Sequence, residues 1–494
     1  MSDLPVLIIG AGISGLILAQ HLRTQSIPSV VFERDADLDT RGLGWGLTLH
    51  WSLPALRQLI PAHLFDRLPE AYVDRAAVER GEDSRFPFYD LSTGELRAAT
   101  PKAPQGQRVR VTRARFRKLL SEGIDIQWGK AYSSYQSTPS SVTVTFEDGS
   151  SHTGCLLVAC DGGASRVRRA LFPEQHERHR VPVRTMGFRA DFSPRQVRAI
   201  RAMDPFFLQA AASENDTFLY FSGLLILFSF FFFFSLSFLS GPRHPRAHGK
   251  RAKHTPNKKP LNKYTCQIVV SWPDRPGFFG QEHGIDYPAT DAGRIELLHR
   301  FARTWADPFR SMVLGVSLAG ADTRRRGSSS STGSESSTSL ADGAEAGGGG
   351  GVTTEIKTLD LFDWPPPRGL RGSGRVILMG DSMHQMTMYR GEGANHAIVD
   401  VQDFAELVTP HLPRAASSPA SSETRTGNGN VGVASSFEQL RGALDRYEDA
   451  VVDRTRPGVL ASRRACLDAH EWKRIGETSP LLTRRAMKLD FEEE

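Results

Sequence analysis

Residues 5–15 read PVLIIGAGISG, a short apolar run that ends in a glycine-rich turn. Such a run is typical of a buried strand, and the residues after it, 14–25, can form a helix. Gly10, Gly12 and Gly15 stand at the spacing G-x-G-x-x-G. In that motif the first glycine permits a tight turn, the second lets the backbone approach a pyrophosphate, and the third lets helix and strand pack closely. The stretch therefore predicts a β-α-β unit that binds a dinucleotide.

The next apolar run strengthens this prediction. Residues 29–33 read SVVFE, so that Glu33 closes the predicted second strand. An acid at this position accepts hydrogen bonds from the ribose hydroxyls of an adenosine, and it would repel a 2′-phosphate. The motif and the acid together predict a bound adenine dinucleotide, and they leave the choice between NAD and FAD open.

Two further segments place glycine and aspartate directly after apolar runs. Residues 155–160, CLLVAC, precede Asp161-Gly162, and residues 375–379, RVILM, precede Gly380-Asp381. Both runs are predicted to be buried strands. A second glycine-rich turn, RGEGANH at 390–396, then opens a segment with helical periodicity over 393–408.

In this order, the three segments resemble the signatures of the flavoprotein aromatic hydroxylases with the p-hydroxybenzoate hydroxylase fold, of the fungal secondary-metabolism type. Those signatures are G-x-G-x-x-G, an internal D-G, and G-D-x-x-H followed by a glycine-rich turn and a helix. The resemblance implies an α/β protein with a discontinuous Rossmann-like FAD-binding domain, an inserted and mainly antiparallel substrate-domain sheet, and a helical C-terminal region. The implied ranges are 1–75, 105–183 and 355–412 for FAD binding, 76–104 and 184–323 for the substrate domain, and 437–494 for the C-terminal region.

The resemblance also implies a set of residues that bind FAD. They are Gly10, Gly12, Gly15, Glu33, Gly46, Arg113, Asp381 and Ala394. Asp381 would bond the ribityl chain, and Ala394 and Asn395 would lie near the pyrimidine edge of the flavin ring. A helix N-terminus at that edge stabilises an anionic reduced flavin.

Three of the residue assignments have an open alternative or differ from the family pattern. Arg110 competes with Arg113 for the cofactor contact. Gln385 follows His384, where the family often has proline, so the conformation of that loop is left open. His384 and His50 are interpreted as structural residues.

The implied reaction is reduction of FAD by NADPH or NADH, activation of O2, and transfer of one oxygen atom to a small-molecule substrate. The sequence contains no second G-x-G-x-x-G, so the nicotinamide is expected to visit the flavin transiently. We expect hydroxylation or epoxidation of an aromatic or polyketide-like secondary metabolite, with Tyr220 as the candidate catalytic residue or as an aromatic packed in the sheet. The alternatives are a flavin-dependent oxidase, a Baeyer-Villiger-type oxygenase, or an inactive product.

Charge and cysteine content narrow the partners. The chain has 61 Lys and Arg against 55 Asp and Glu, but eight of the basic residues lie in 243–263, where no acid occurs. The remaining sequence has no basic excess, so no nucleic-acid partner is expected. Four scattered cysteines favour a reducing compartment and give no zinc spacing. The N-terminus is interpreted as a strand and not as a signal peptide, which favours a cytoplasmic location. From the scattered cysteines we expect no metal site.

Three segments interrupt the predicted fold. Residues 324–354 and 413–436 are low-complexity stretches that are interpreted as surface loops. Residues 224–262 contain FSFFFFFSLSFLS and then the basic run. Because 224–262 separates two predicted strands of one sheet, we interpret it as a retained intron or gene-model error. The alternatives are a family-specific insertion and a membrane-spanning segment at 217–242.

Overall fold

The computed structural model describes residues 4–40, 45–100, 107–225, 263–319, 351–414 and 429–491. Its α-helices are α1 Ile13–Thr24, α2 Leu53–Leu59, α3 Ala62–Phe65, α4 Arg75–Glu79, α5 Arg113–Leu120, α6 Arg166–Leu171, α7 Pro194–Met203, α8 Asp291–Ala302, α9 Phe309–Leu314, α10 Asp381–His384, α11 Gly393–Leu407 and α12 Gly429–Asp468. Short 3₁₀ turns occur at Leu68–Ala71, Phe278–Gly280, Thr409–His411 and Trp472–Arg474.

The strands form four sheets. They are β1 Val6–Ile9, β2 Ser29–Glu33, β3 Gly46–Leu49, β4 Phe88–Asp90, β5 Leu96–Ala98, β6 Val109–Thr112, β7 Ile126–Trp128, β8 Tyr132–Ser137, β9 Val142–Phe146, β10 Ser151–Gly154, β11 Leu156–Ala159, β12 His179–Phe192, β13 Phe207–Ala211, β14 Phe218–Leu225, β15 Tyr264–Pro273, β16 Ser317–Leu318, β17 Val352–Thr353, β18 Ile356–Asp363 and β19 Val376–Leu378.

A five-stranded parallel sheet, in the order β19-β11-β1-β2-β7, carries the three sequence signatures. Its central strands β1 and β11 are buried along their whole length, as expected for a parallel sheet covered on both faces. In the register of this sheet Ile9 lies beside Phe32 and Ala159, and Ala159 lies beside Leu378. Because the strands are parallel, the turns that follow them emerge at one edge. The glycine turn, Glu33, Asp161 and Asp381 therefore meet there.

The largest of the four sheets has nine strands and is mainly antiparallel. Its order is β16-β17-β12-β15-β14-β13-β4-β5, and β18 also pairs with β12. Along β13 and β14 the side chains alternate between two faces. Leu208, Leu219 and Phe221 pack into a core beneath α7, α8 and α9, whereas Gln209 and Tyr220 point to the opposite face, opposite each other in register.

The strands that flank the segment 224–262 pair with each other as the sequence predicts. Strands β14 and β15 are antiparallel neighbours, and their pairing runs from Phe218 opposite Ser271 to Leu225 opposite Tyr264. Residues 226–262 lie outside the described residues, so the intron interpretation stays a prediction that sequencing of the mature transcript tests. Within the described ranges, no helix combines the length and the apolar character needed to cross a bilayer.

Several boundaries differ from the implied ranges. Helix α12 begins at Gly429, within the stretch interpreted as a loop up to residue 436. Strand β12 begins at His179, and β18 at Ile356, although both starts lie in the range assigned to FAD binding. Both strands belong to the large sheet, because strand pairing depends on partners far apart in the chain, and local sequence does not encode those partners.

Candidate active site

A cavity of about 570 Å³ lies between the edge of the parallel sheet and the face of β13 and β14 that carries Gln209 and Tyr220. Eight of the nine residues predicted from the sequence line it: Gly10, Gly12, Glu33, Gly46, Arg113, Tyr220, Asp381 and Ala394. The ninth, Gly15, does not. The tertiary structure thus brings together residues from the whole length of the chain around one space.

The three motif glycines occupy different surroundings. Gly10 has φ +106°, and a Cβ there would overlap the carbonyl oxygen of Cys160. At Gly15 a Cβ would overlap the carbonyl oxygen of Gly10, which is the close helix–strand contact expected for the third glycine. A Cβ at Gly12 would meet nothing within 4 Å. Gly12 therefore leaves open space in the cavity wall at the N-terminus of α1, where a phosphate can approach the backbone.

Glu33 is buried at the end of β2 and is held by two backbone amides. Its Oε2 accepts from the N–H of Ala11 at 2.9 Å, and its Oε1 accepts from the N–H of Asp35 at 3.1 Å. A carboxylate has about four lone-pair sites, more than these two bonds require, and Glu33 lines the cavity. This geometry fits the predicted role in binding ribose hydroxyls.

The substitution Glu33→Arg is expected to weaken FAD binding by about 10- to 100-fold, since hydrogen bonds to charged groups contribute roughly 1.5–3 kcal/mol. Titration of FAD into the apoprotein, followed by flavin fluorescence, measures the dissociation constant. The matched control is Asp39→Arg, which makes the same charge change at an exposed residue of the following loop. Equal FAD affinity in Glu33→Arg and the control would contradict the assignment.

Asp161 supplies an unused acceptor to the same cavity. Its Oδ2 accepts from the N–H groups of Arg166 and Val167 at 2.8 and 3.3 Å and so caps α6. Its Oδ1 is buried and has no hydrogen-bond partner among the described residues. Burial raises the pKa of this carboxyl group. At the adjacent Gly162, φ is +83° and a Cβ would meet nothing within 4 Å. This open space can admit a ligand group that donates a hydrogen bond to Oδ1 of Asp161.

Asp381 is exposed to the cavity at the start of α10. Desolvation by the surrounding protein raises the pKa of this carboxyl group, while His384 and Arg113 act in the opposite direction. Arg113 thus lies in the electrostatic field of Asp381 and, like it, lines the cavity. Arg110 also lines the cavity, but on the wall formed by the large sheet.

A buried ionic cluster behind the cavity holds the Asp381 turn in place. Oδ2 of Asp400 accepts from the Gly380 N–H and from Nε2 of His384, both at 2.7 Å. Oδ1 of Asp400 accepts from Arg454 at 2.6 Å. Desolvation opposes ionisation, but His384 and Arg454 hold the pKa of Asp400 below its ordinary value. His384 is therefore a positioning residue, in agreement with its structural interpretation.

The Asn395 side chain bonds to other segments of the protein, and its expected position near the flavin ring stays a prediction. Its Oδ1 accepts from the His50 N–H at 3.0 Å and from Ser52 Oγ at 2.8 Å, and its Nδ2 donates to the Thr48 carbonyl at 2.9 Å. The side chain joins α11 to the end of β3 and is absent from the cavity wall. Ala394, one residue earlier in the first turn of α11, does line the cavity.

Gln385 replaces the proline common in the family and contributes to the cavity wall. Its backbone carbonyl accepts from the Trp364 N–H at 2.9 Å, which orders the loop that the sequence left open. The Oε1 atom of Gln385 is buried without a hydrogen-bond partner among the described residues. This atom and Oδ1 of Asp161 are two acceptors that a polar ligand can satisfy.

On the opposite wall Arg110 and Tyr220 form a buried pair. The Arg110 guanidinium donates to the Tyr220 hydroxyl, to Ser222 Oγ at 3.0 Å and to Thr48 Oγ1 at 2.7 Å. Burial raises the pKa of Tyr220, although Arg110 opposes the shift, so the phenol stays protonated at neutral pH. Because arginine can only donate, the oxygen of Tyr220 acts as the acceptor toward Arg110, and Ser222 also forms a hydrogen bond with this hydroxyl group.

Aromatic rings from three segments complete this wall. Phe207 and Tyr220 have ring centroids 6.2 Å apart, and Arg110 lies 4.6 Å from the Phe207 centroid. Phe86 meets Phe207 edge to face at 4.5 Å. Reasoning from the sequence missed Phe86, Phe207 and Arg485 as cavity residues. No local signal identifies them, because each belongs to the wall only through contacts with distant segments.

Comparisons with known proteins agree with this geometry. A family model described as "FAD binding domain" matches residues 3–219. The chain is 38% identical over 97% of its length to a "Probable FAD-dependent monooxygenase" of Arthroderma benhamiae, of which it covers 95%. It is 36% identical over 80% of its length to the "FAD-dependent monooxygenase dbaB" of Emericella nidulans, of which it covers 84%.

Two solved structures show the same fold at low identity. One is 2,6-dihydroxypyridine-3-hydroxylase from Arthrobacter nicotinovorans, with a TM-score of 0.62, 16% identity and full coverage of both chains. The other is HpxO of Klebsiella pneumoniae complexed with FAD and uric acid, with a TM-score of 0.60, 17% identity, and coverage of 97% of this chain and 90% of that chain. The mixed α/β architecture with its antiparallel sheet is thus that of an FAD-binding flavoprotein hydroxylase.

Proposed function

The chain belongs to the FAD-dependent monooxygenases, and from this membership we propose that it hydroxylates a phenolic or polyketide-like substrate with NADPH or NADH as reductant. The observation that carries the proposal is the cavity, because it joins the edge that bears the FAD signatures to an aromatic wall on the large sheet. The balanced reaction consumes substrate, O2, NAD(P)H and a proton, and yields hydroxylated substrate, water and NAD(P)+.

We propose that residues at the edge of the parallel sheet hold FAD. Gly12 admits the pyrophosphate, Glu33 accepts from the adenosine ribose, and Asp381 accepts from the ribityl chain. The first turn of α11 at Ala394 presents its N–H groups and partial positive charge to the flavin ring. When bound, FAD supplies the redox chemistry that activates O2. The protein orients the two reactants and excludes water.

The same reasoning supports a finer division of the fold. We propose that the parallel sheet with α1, α10 and α11 is the FAD-binding domain. The large sheet would then be the substrate domain, of which β4 and β5 precede β11 in the chain and the other seven strands lie between β11 and β19. The alternation along β13 and β14 supports this division, since one face packs a core and the other faces the cavity.

Tyr220 is proposed to donate its proton to an oxygen of the substrate. Arg110 occupies an acceptor site on the Tyr220 oxygen, and in this proposal the hydroxyl hydrogen is directed to a ligand on the cavity side. Phe207 and Phe218 offer flat apolar surfaces beside it, which suit an aromatic ring. In this arrangement Tyr220 fixes the orientation of the ring relative to the flavin edge of the cavity.

The proposed function is tested with purified FAD-loaded protein and simple phenols such as orcinol and 2,4-dihydroxy-6-methylbenzaldehyde. We expect at least one phenol to accelerate NADPH or NADH oxidation and to acquire one atom from ¹⁸O2 as a new hydroxyl group. Oxidation of the phenol with hydrogen peroxide release and no ¹⁸O incorporation would instead indicate an oxidase. A new ester in the product would indicate a Baeyer-Villiger-type oxygenase.

The substitution Tyr220→Phe is expected to lower kcat/KM for hydroxylation by about 100-fold, which is typical for loss of a positioned proton donor. Bound FAD should be unchanged, because Tyr220 lies on the wall opposite the FAD signatures. Product formation and NAD(P)H consumption are measured together. The control is Tyr264→Phe on β15, a tyrosine outside the cavity wall. Full activity in Tyr220→Phe would show that Tyr220 is only a packed aromatic.

A further inference from the structure

The C-terminal segment 479–485 contributes Arg485 to the cavity wall and is anchored by Arg390. This arginine is buried in the turn before α11, where its Nε donates to Glu392 Oε2 at 2.6 Å. Its other nitrogens donate to the Pro480 carbonyl, to Thr483 Oγ1 at 3.1 Å and to the Arg484 carbonyl at 3.2 Å. Charge-assisted hydrogen bonds of this kind are about twice as strong as neutral ones. The segment is therefore fixed against the turn that lines the cavity.

Arg485 follows this anchor and is half-buried in the cavity wall. Its guanidinium donates to three backbone carbonyls, those of Arg390 at 3.4 Å, Thr483 at 3.1 Å and Leu481 at 3.0 Å. Arginine has five N–H donors, so two remain. No carboxylate oxygen of the described residues forms an ion pair with it within 4.0 Å. Burial first, and then the neighbouring Arg390, lower the pKa of Arg485 to about 10.

The aromatic ring of Phe86 lies beside this charge. The Arg485 guanidinium lies 5.6 Å from the centroid of Phe86, and Arg108 lies 4.7 Å from the same ring. Arg108 has a carboxylate partner, Asp83, at 3.5 Å. Phe86 adopts a left-handed backbone conformation with φ +49°, which is costly for a large side chain and is retained where surrounding structure imposes it. Within the described ranges Arg485 thus lies beside this aromatic face with no carboxylate within 4.0 Å, and Glu392 acts on it only from a greater distance.

We infer that Arg485 is a specificity residue that binds an anionic group, a carboxylate or a phenolate, of the aromatic ligand in this cavity. A half-buried cation whose partners are only neutral carbonyl groups is incompletely compensated, and a ligand anion would reduce that cost. The planar guanidinium with two remaining N–H groups suits an oxyanion. This inference rests on the proposed function, because it deepens the description of the same substrate site.

The test uses benzoate and benzamide, which share shape and differ in charge, with FAD-loaded protein. Binding is followed by the change in flavin absorption, and no turnover is needed. We expect the wild-type protein to bind benzoate at least tenfold more tightly than benzamide. Arg485→Gln should reduce this preference to less than threefold. Arg485→Lys keeps the positive charge but lacks the planar guanidinium group, so it should retain part of the preference for benzoate. The matched control is Arg484→Gln, an exposed neighbour whose role in the anchor is through its carbonyl group.

Two results would overturn the inference. One is the absence of a benzoate preference in the wild-type protein, and the other is an unchanged preference in Arg485→Gln. The phosphates of NAD(P)H are the other source of anionic groups, so KM for NADPH oxidation without phenol is measured in the same variants. An increase in that KM, with benzoate binding unchanged, would assign Arg485 to the reductant. Failure of the proposed function would appear separately, as no phenol-stimulated NADPH or NADH oxidation.

Discussion

Replacing Asp400 with alanine is expected to lower the free energy of unfolding by about 3–5 kcal/mol, the range measured when one partner of a buried ion pair is removed. Asp400 is fully buried and accepts from Gly380, His384 and Arg454. Without it, the His384 Nε2 atom loses its partner, and Arg454 keeps the Asp403 carboxylate at 2.9 Å and its hydrogen bonds to His396. Chemical denaturation of the apoprotein, followed by tryptophan fluorescence, measures the difference.

The control for this prediction is Asp449→Ala at the surface. Asp449 pairs with Arg371 at 2.6 Å, but the two side chains are 38% and 52% exposed. Exposed ion pairs contribute about 0–1 kcal/mol, so this variant should remain near wild-type stability. If the two variants lose equal stability, the buried cluster is not the anchor of the Asp381 turn.

The substitution Gly12→Val is expected to abolish FAD binding while leaving the apoprotein folded. A Cβ at Gly12 meets nothing within 4 Å, and its φ of −79° suits any residue. The side chain would instead occupy the space into which we propose that the pyrophosphate fits. We expect the dissociation constant for FAD to rise at least 1000-fold, or about 4 kcal/mol. Equilibrium dialysis measures the affinity, and thermal unfolding of the apoprotein checks the fold.

Gly15→Val provides the comparison. A Cβ at Gly15 would overlap the carbonyl oxygen of Gly10, so this variant should be unstable even without cofactor. The two substitutions add the same side chain to one motif, and the structure assigns them opposite causes of failure. If Gly12→Val bound FAD normally, or unfolded as readily as Gly15→Val, the assignment of the pyrophosphate site would be wrong.

Much of the parallel sheet was predictable from local patterns. The run 29–33 forms β2, and the helix expected at 14–25 is α1, Ile13–Thr24. The helix expected at 393–408 is α11, Gly393–Leu407. These elements carry strong apolar periodicity and glycine signals within a few residues. The convergence of Gly12, Glu33 and Asp381 was also predictable, since residues after parallel strands emerge at one edge.

The aromatic wall was not predictable in the same way. Tyr220 could be named as a candidate, but its bond to Arg110 joins residues 110 positions apart in the chain. Asn395 was expected beside the flavin, yet its amide is used by β3 and the loop after it. The local sequence around Asn395 is the same whether its amide faces a ligand or bonds to another segment of the protein. The outcome depends on which donors and acceptors other segments bring within reach.

The sequence alone predicted which residues meet at the edge of the parallel sheet, because the backbone conformation of a glycine turn and the carboxyl ends of buried strands follow from nearby residues. Tertiary structure alone decided the opposite wall. Phe86, Phe207 and Arg485 meet there because two sheets and the C-terminal segment pack around one cavity. Packing of this kind is governed by contacts between residues far apart in sequence, and local propensity carries no information about which of them will meet.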